Sequence, residues 1–262
     1  GGAITFGGAG FLEMSGSTTN LGTSFTEGSG TVEYDGAGGQ TIFNTTYNHL
    51  IIDQNSTKIA SANLDVDGNL TIDNSATLDM SASNYNLTID GNYTLTSGAF
   101  TSRTGTVTFN GGGAQSLTPG SSSFYNLTTA TSSTNVTLQA DITVTNDLTI
   151  ASSTTLDAGS NRGITIGGNW SNSSTFVDQA GTVTFNGGDA QTVTSGGSDF
   201  YNLTTTGSST AVTLADAMTI ANDLTIASSS SLDVSGSNYA IGIKGNWSNS
   251  STFVDQAGTV TF

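Results

Sequence analysis

The segment GNWSNSSTFVDQAGTVTF stands at Gly168–Phe185 and again, unchanged, at Gly245–Phe262, 77 positions later. An exact tandem copy constrains a fold more than any composition does. Whatever one copy builds, the next must build beside it, so repeat architectures come first. The phrase Gly-Thr-Val-(Thr/Glu)-(Phe/Tyr) begins at Gly30, Gly105, Gly181 and Gly258, at intervals of 75, 76 and 77. It ends on Tyr34, Phe109, Phe185 and Phe262. Phe25, Phe100, Phe176 and Phe253 each precede its glycine by five residues. A Tyr-Asn pair recurs with Asn48, Asn126 and Asn202, and a Gly-Asn-aromatic triplet ends on Tyr93, Trp170 and Trp247. Leu-Asp pairs end on Asp79, Asp157 and Asp233. The sequence divides into whole units 30–104, 105–180 and 181–257, with the end of a partial unit at 1–29 and the start of another at 258–262. We read these as one continuous structure, a window of a longer array.

Within a unit the chain runs through TVTF, NLTT, NVTL, DITV and DLTI, separated by Ser, Gly, Asn and Asp. Alternation of apolar residues with Thr over about four positions is the signature of short strands. Val, Ile and Thr favour the strands, and Gly and Asn supply the turns. No helical apolar period is sustained. Strands every six to ten residues suit a chain that turns a corner after each one. A unit of about 76 residues is short for a β-sandwich, which needs roughly 100. The expected fold is therefore all-β: a parallel β-solenoid (β-helix) of tandem units, each of four short coils of about 19 residues, with three coils of about 25 also compatible. At about 4.8 Å per coil, the whole segment would be a rod on the order of 65 Å long.

Charge narrows the partners. Only 9% of residues are charged, yet the net charge is −16, and Lys58, Arg103, Arg162 and Lys244 stand singly. So few basic groups cannot neutralise phosphates, which argues against nucleic acid and anionic membrane surfaces. No apolar run is long enough to span a membrane, so none of this segment is expected to insert in one. The opening GGAITFGG lacks the basic and apolar regions of a signal peptide, which says little about export if the segment is cut from a longer chain. There is no Cys, hence no disulfide and no thiolate metal site.

The GTVTF, NLTI and TLDA phrases on a long tandem period resemble the repeat regions of large secreted bacterial surface proteins, the filamentous-haemagglutinin-like and autotransporter-type adhesins. The resemblance is one of style and covers the whole chain. It implies a parallel β-helix, an extracellular or cell-surface location, and a non-catalytic role as a shaft, fibre or matrix. The partners it implies are further repeats, other copies of the chain, surface glycans or other cells.

Candidate sites are few. Asn63, Asp65 and Asp67, followed by Gly68, match the front of a calcium loop. The twelfth position is Asn74 where a bidentate Glu belongs, and the aligned units replace the acids with Thr143 and Thr145. Strand, turn, strand is the better reading, and no other cofactor is expected. Glycoside hydrolysis needs two carboxylates facing one bond, and nothing in the repeat singles out such a pair. The lone His49 lies in a strand-like run and reads as structural. Thr-x-Thr pairs such as Thr143/Thr145 and Thr182/Thr184 would suit an ice-binding face, but most recur once per unit rather than once per coil. The recurring aromatics could stack on sugars; their fixed phase fits packing better.

Overall fold

The computed structural model describes residues 3–17, 20–22, 24–130 and 133–262. It is all-β, a parallel β-solenoid. The chain forms two compact units, Gly1–Tyr125 and Asn126–Phe262.

In both units the chain makes three short strands per coil, one on each of three sides, and each strand pairs in parallel with its counterpart in the next coil. In the first unit one side carries Thr31–Tyr34, His49–Ile52, Leu70–Ile72 and Tyr93–Leu95. The second carries Gln40–Ile42, Thr57–Ala60, Ala76–Asp79 and Gly98–Thr101. The third carries Thr46–Tyr47, Leu64–Val66, Leu87–Ile89 and Thr106–Phe109. In the second unit one side holds Asn126–Thr129, Leu148–Ile150 and Trp170–Asn172. Another holds Ile142–Val144, Ile164–Ile166, Thr182–Phe185, Asn202–Thr205, Leu224–Ile226 and Trp247–Asn249.

Alternation decides which residues face in. Leu70 and Ile72 are buried while Thr71 between them is not, and the same holds for Ile164, Thr165 and Ile166. The register stacks like on like: Leu70 lies between Leu50 and Tyr93, and Ile72 between Ile52 and Leu95. Each coil thus adds one layer to an apolar column and satisfies its backbone against its neighbours. Aromatic residues fill one part of the interior. Tyr93, Phe100 and Phe124 meet in the first unit, and Trp170, Phe176 and Phe200 in the second, with ring centroids 4.8–5.9 Å apart.

Coils run from 18 residues (Val32 to Leu50) to 24 (Tyr93 to Leu117), so most are longer than the expected nineteen and their length varies from coil to coil. This changes the phase of the repeat. Between Leu127 and its repeat equivalent Leu203 the chain advances ten strands and the isolated bridge at Phe200, eleven positions in all. With three positions to a coil, a repeat is three and two-thirds coils rather than four. Equivalent residues therefore change sides. Leu127, Leu148 and Trp170 share one sheet, while Leu203, Leu224 and Trp247 share another. The first unit behaves alike: Val32 pairs with Leu50, whereas its equivalent Val107 pairs with Leu87 on a different side.

Candidate functional site

The polar residues that the repeat carries are mostly turned onto the backbone at the corners. His49 Nδ1 accepts the Asn69 N–H at 2.9 Å, Asn69 Oδ1 accepts the Asn92 N–H at 2.9 Å, and Asn92 Oδ1 accepts the Ser116 N–H at 2.7 Å. His49 is thus the first rung of an asparagine ladder. In the second unit Asp147 accepts from the Asn169 N–H, and Asn169 from the Thr192 N–H. The predicted Asn126 and Asn202 do equivalent work. Each Oδ1 accepts from the side chain of Asn146 or Asn222 and from the N–H of Asp147 or Asp223. Asn48, in the first unit, is half-buried just before the strand His49–Ile52.

The Leu-Asp carboxylates brace turns. Asp79, Asp157 and Asp233 each accept an N–H two residues on, from Ser81, Gly159 and Ser235. Each also accepts from the coil above: Asp79 from the Arg103 guanidinium at 2.6–2.8 Å, Asp157 from Gln179 and Asp233 from Gln256. The Arg103 contact holds the Asp79 carboxyl below its usual range. Nearby, Asn84, Asn161 and Asn238 take the left-handed conformation that Asn tolerates, with φ of 59–63°, and accept the N–H of Thr104, Ala180 and Ala257.

The calcium candidates are not gathered into a cage. Asn63 Oδ1 accepts the Asn86 N–H of the next coil, Asp65 faces outward from mid-strand, and Asp67 lies exposed beyond it. Among the described residues no three His, Cys, Asp or Glu side chains form a group that could hold a metal. Burial and mutual repulsion among Asp65, Asp67 and Asp90 raise all three carboxyl pKa values. A second acidic edge joins Glu13, Glu33, Asp35 and Asp53. There Glu33 is raised to about 7, first by burial, then by its hydrogen bond to Asp53 and the surrounding carboxylates.

Sequence reasoning missed one set of residues. Gln40, Gln115 and Gln191 are at most 3% exposed. Gln191 Nε2 donates to the Ile166 and Gly168 carbonyls of the coil below, and its Oε1 accepts the Gly187 N–H at 3.1 Å. Gln115 donates to Ile89 and Gly91, and Gln40 to Met14 and Gly16. The signal was present: Gly36, Gly111 and Gly187 each precede a Gln by four, on the same beat as the Gly-Thr-Val phrase. Lys58 was also missed. It is fully buried, with Nζ donating to the carbonyls of Gly36, Asp53 and Gln54 and to Ser56 Oγ.

The aromatic positions are interior. Tyr34, Tyr93, Phe109, Trp170 and Phe185 are at most 1% exposed, Phe100 and Phe176 are 5–6% exposed, and Phe25 is half-buried. In the last copy Trp247 and Phe253 are half-buried and Phe262 is exposed. A shallow depression of about 260 Å³ lies on the first unit, lined by Thr31, His49, Ile51, Asn69 and Thr71.

One outward feature of the second unit recurs along six paired strands. Thr143, Thr165, Thr184, Thr204 and Thr225 are register neighbours, with Ser248 completing the column. No charged residue lies in these six strands. The change of side between repeats assembles this ladder from different phases of the sequence, so counting Thr pairs once per unit did not reveal it. Compared with family models, curated proteins and solved structures, the chain matches none of them.

Proposed function

We propose that the chain is a non-catalytic structural shaft, the spacer or filament-forming segment of an extracellular, cell-surface protein of adhesin or matrix type. One observation carries this reading: the recurring polar side chains brace backbone at the corners instead of converging on a cleft. Residues that would bring chemistry, His49 and the Leu-Asp carboxylates, are each engaged in holding one coil to the next. Such a structure lengthens by adding repeats, each needing only its neighbours. Its partners would be further repeats, other copies of itself, or surface glycans. The extracellular placement and the kinship with secreted adhesins rest on the repeat style of the sequence. Electron microscopy of chains with one, two and three added repeats tests the reading. Particle length should grow by roughly 18 Å per repeat. Separate particles indicate a spacer, continuous fibres a filament subunit, and a length independent of repeat number overturns the shaft.

A second reading, a binding module for ice, is favoured by the threonine column. Hydroxyl and methyl groups repeat at the strand spacing of about 4.8 Å on an uncharged face. If it binds ice, the chain shapes growing crystals and inhibits recrystallisation, and Thr184→Lys with Thr204→Lys abolishes both.

A further inference from the structure

We infer that repeat number is an angular setting. Within the second unit, adding or removing one 76-residue repeat turns everything after it by a third of a turn, and only multiples of three repeats restore the original facing. The inference rests on strand register alone and holds whatever the chain does.

The second unit contains the needed comparison in full. Nine inward positions have equivalents one repeat later, and every one changes side. Leu127, Leu148 and Trp170 give way to Leu203, Leu224 and Trp247 on the next sheet. Val136, Leu156 and Phe176 share one side, while Val212, Leu232 and Phe253 share another. Ile142, Ile164 and Val183 give way to Met218, Ile241 and Val260. The shift is the same in all three sets, as it must be if a repeat is eleven strand positions. Three repeats make thirty-three positions, which is eleven whole coils.

One repeat also advances the structure by three and two-thirds coils, roughly 18 Å. Losing one therefore both shortens the stack and re-aims it. Near-identical repeats make such a change seamless: Asp147-Leu148 and Asp223-Leu224 are the same junction, so removing Leu148–Asp223 joins Asp147 to Leu224 without altering the local sequence. Chains differing by one repeat would present the residues beyond the change in a different direction. Side-to-side contacts between copies would then survive only between chains differing by multiples of three.

The test uses pairs of spin labels on the 262-residue chain, with distances measured by double electron–electron resonance. Thr143 and Thr225 stand on one column four coils apart, about 19 Å. Thr149 and Thr225 are repeat equivalents on different sides. The Thr143→Cys/Thr225→Cys pair is expected to give the shorter distance. A repeat of four whole coils reverses that order and overturns the inference. A second variant lacks Leu148–Asp223 and carries Thr128→Cys with Thr225→Cys. Thr225 there takes the place of Thr149, the register neighbour of Thr128, at a separation a disulfide can bridge. Oxidation is expected to close that disulfide in the shortened chain and not in the full chain. A folded shortened chain that stays reduced also overturns the inference. If the shortened chain fails to fold, the label distances in the full chain decide.

Discussion

Replacing Gln191 tests whether the buried glutamines hold the coils together. Its side chain serves three backbone groups: the Ile166 and Gly168 carbonyls and the Gly187 N–H. The Ile166 carbonyl also accepts the Asn186 N–H at 3.0 Å, so it keeps a partner in any variant. The cost therefore falls on the other two. A buried polar group left without a partner costs about 1–3 kcal/mol, and water entering the vacated space recovers part of that for a small replacement. Gln191→Ala should lose about 3 kcal/mol. Gln191→Met fills the space, admits no water and should lose as much or more. Gln191→Glu keeps the acceptor for Gly187 but aims an oxygen at two carbonyls, and should be worst. Urea unfolding gives the stability, and hydrogen exchange at the Gly187 amide gives the local effect, which matters because repeat arrays need not unfold in one step. A Gln191→Met variant within about 0.5 kcal/mol of the parent, with Gly187 exchange unchanged, would refute the reasoning.

Other substitutions probe separate features. Tyr93 is buried and its hydroxyl meets no hydrogen-bond partner, so Tyr93→Phe should raise the urea midpoint, by about 1 kcal/mol of stability; a loss would reveal a partner for the hydroxyl. A Cβ on Gly187 would lie 2.0 Å from the Gly167 carbonyl oxygen, so Gly187→Ala should cost about 1–3 kcal/mol by pushing two coils apart; an unchanged melting temperature contradicts that. Arg103→Gln, which installs the residue found at Gln179 and Gln256, should change stability by less than about 1 kcal/mol in the same melts. Glu33 binds its proton more tightly folded, at about 7, than the ordinary 4.5 of an unfolded chain. Its contribution is therefore fully present below pH 4.5 and lost as the pH rises through 7. Melting of the first unit should fall between pH 5 and pH 8, and Glu33→Gln should flatten the profile; a profile unchanged by the substitution removes Glu33 as the cause.

The strands were legible because alternation is a local signal. TVTF or NLTT states its own inward and outward positions, and the tandem period named the solenoid that stacks them. The phase was not legible. Corners vary in length, and register depends on how many corners fit between equivalent residues, which no single segment displays. Asn63 shows the limit in the other direction. Its spacing to Asp65 and Asp67 looked like half a calcium loop, yet its oxygen accepts the Asn86 N–H, a partner 23 positions away that spacing arguments do not reach. The glutamines were overlooked because a polar residue in a strand-like run reads as outward. Burial turned Gln191 inward once three backbone partners were there to receive it.

The eleven-position repeat also explains why the chemistry of this chain is so even. A residue phase that lies on one side in one repeat lies on another side in the next, so each phase must fit every side it visits. An inward Leu must pack as well against one set of neighbours as another; Leu148 sits between Leu127 and Trp170, and Leu224 between Leu203 and Trp247, on different sheets with the same contacts. Outward residues meet the same demand, which favours Thr, suited to any strand face. A feature that recurs on one side in every coil must draw on different phases, because the sequence repeats only every three and two-thirds coils. What can recur every coil is only what all phases have in common. In the second unit the Thr143–Thr225 column is such a case, assembled from strands of different phases that each happen to carry an outward threonine.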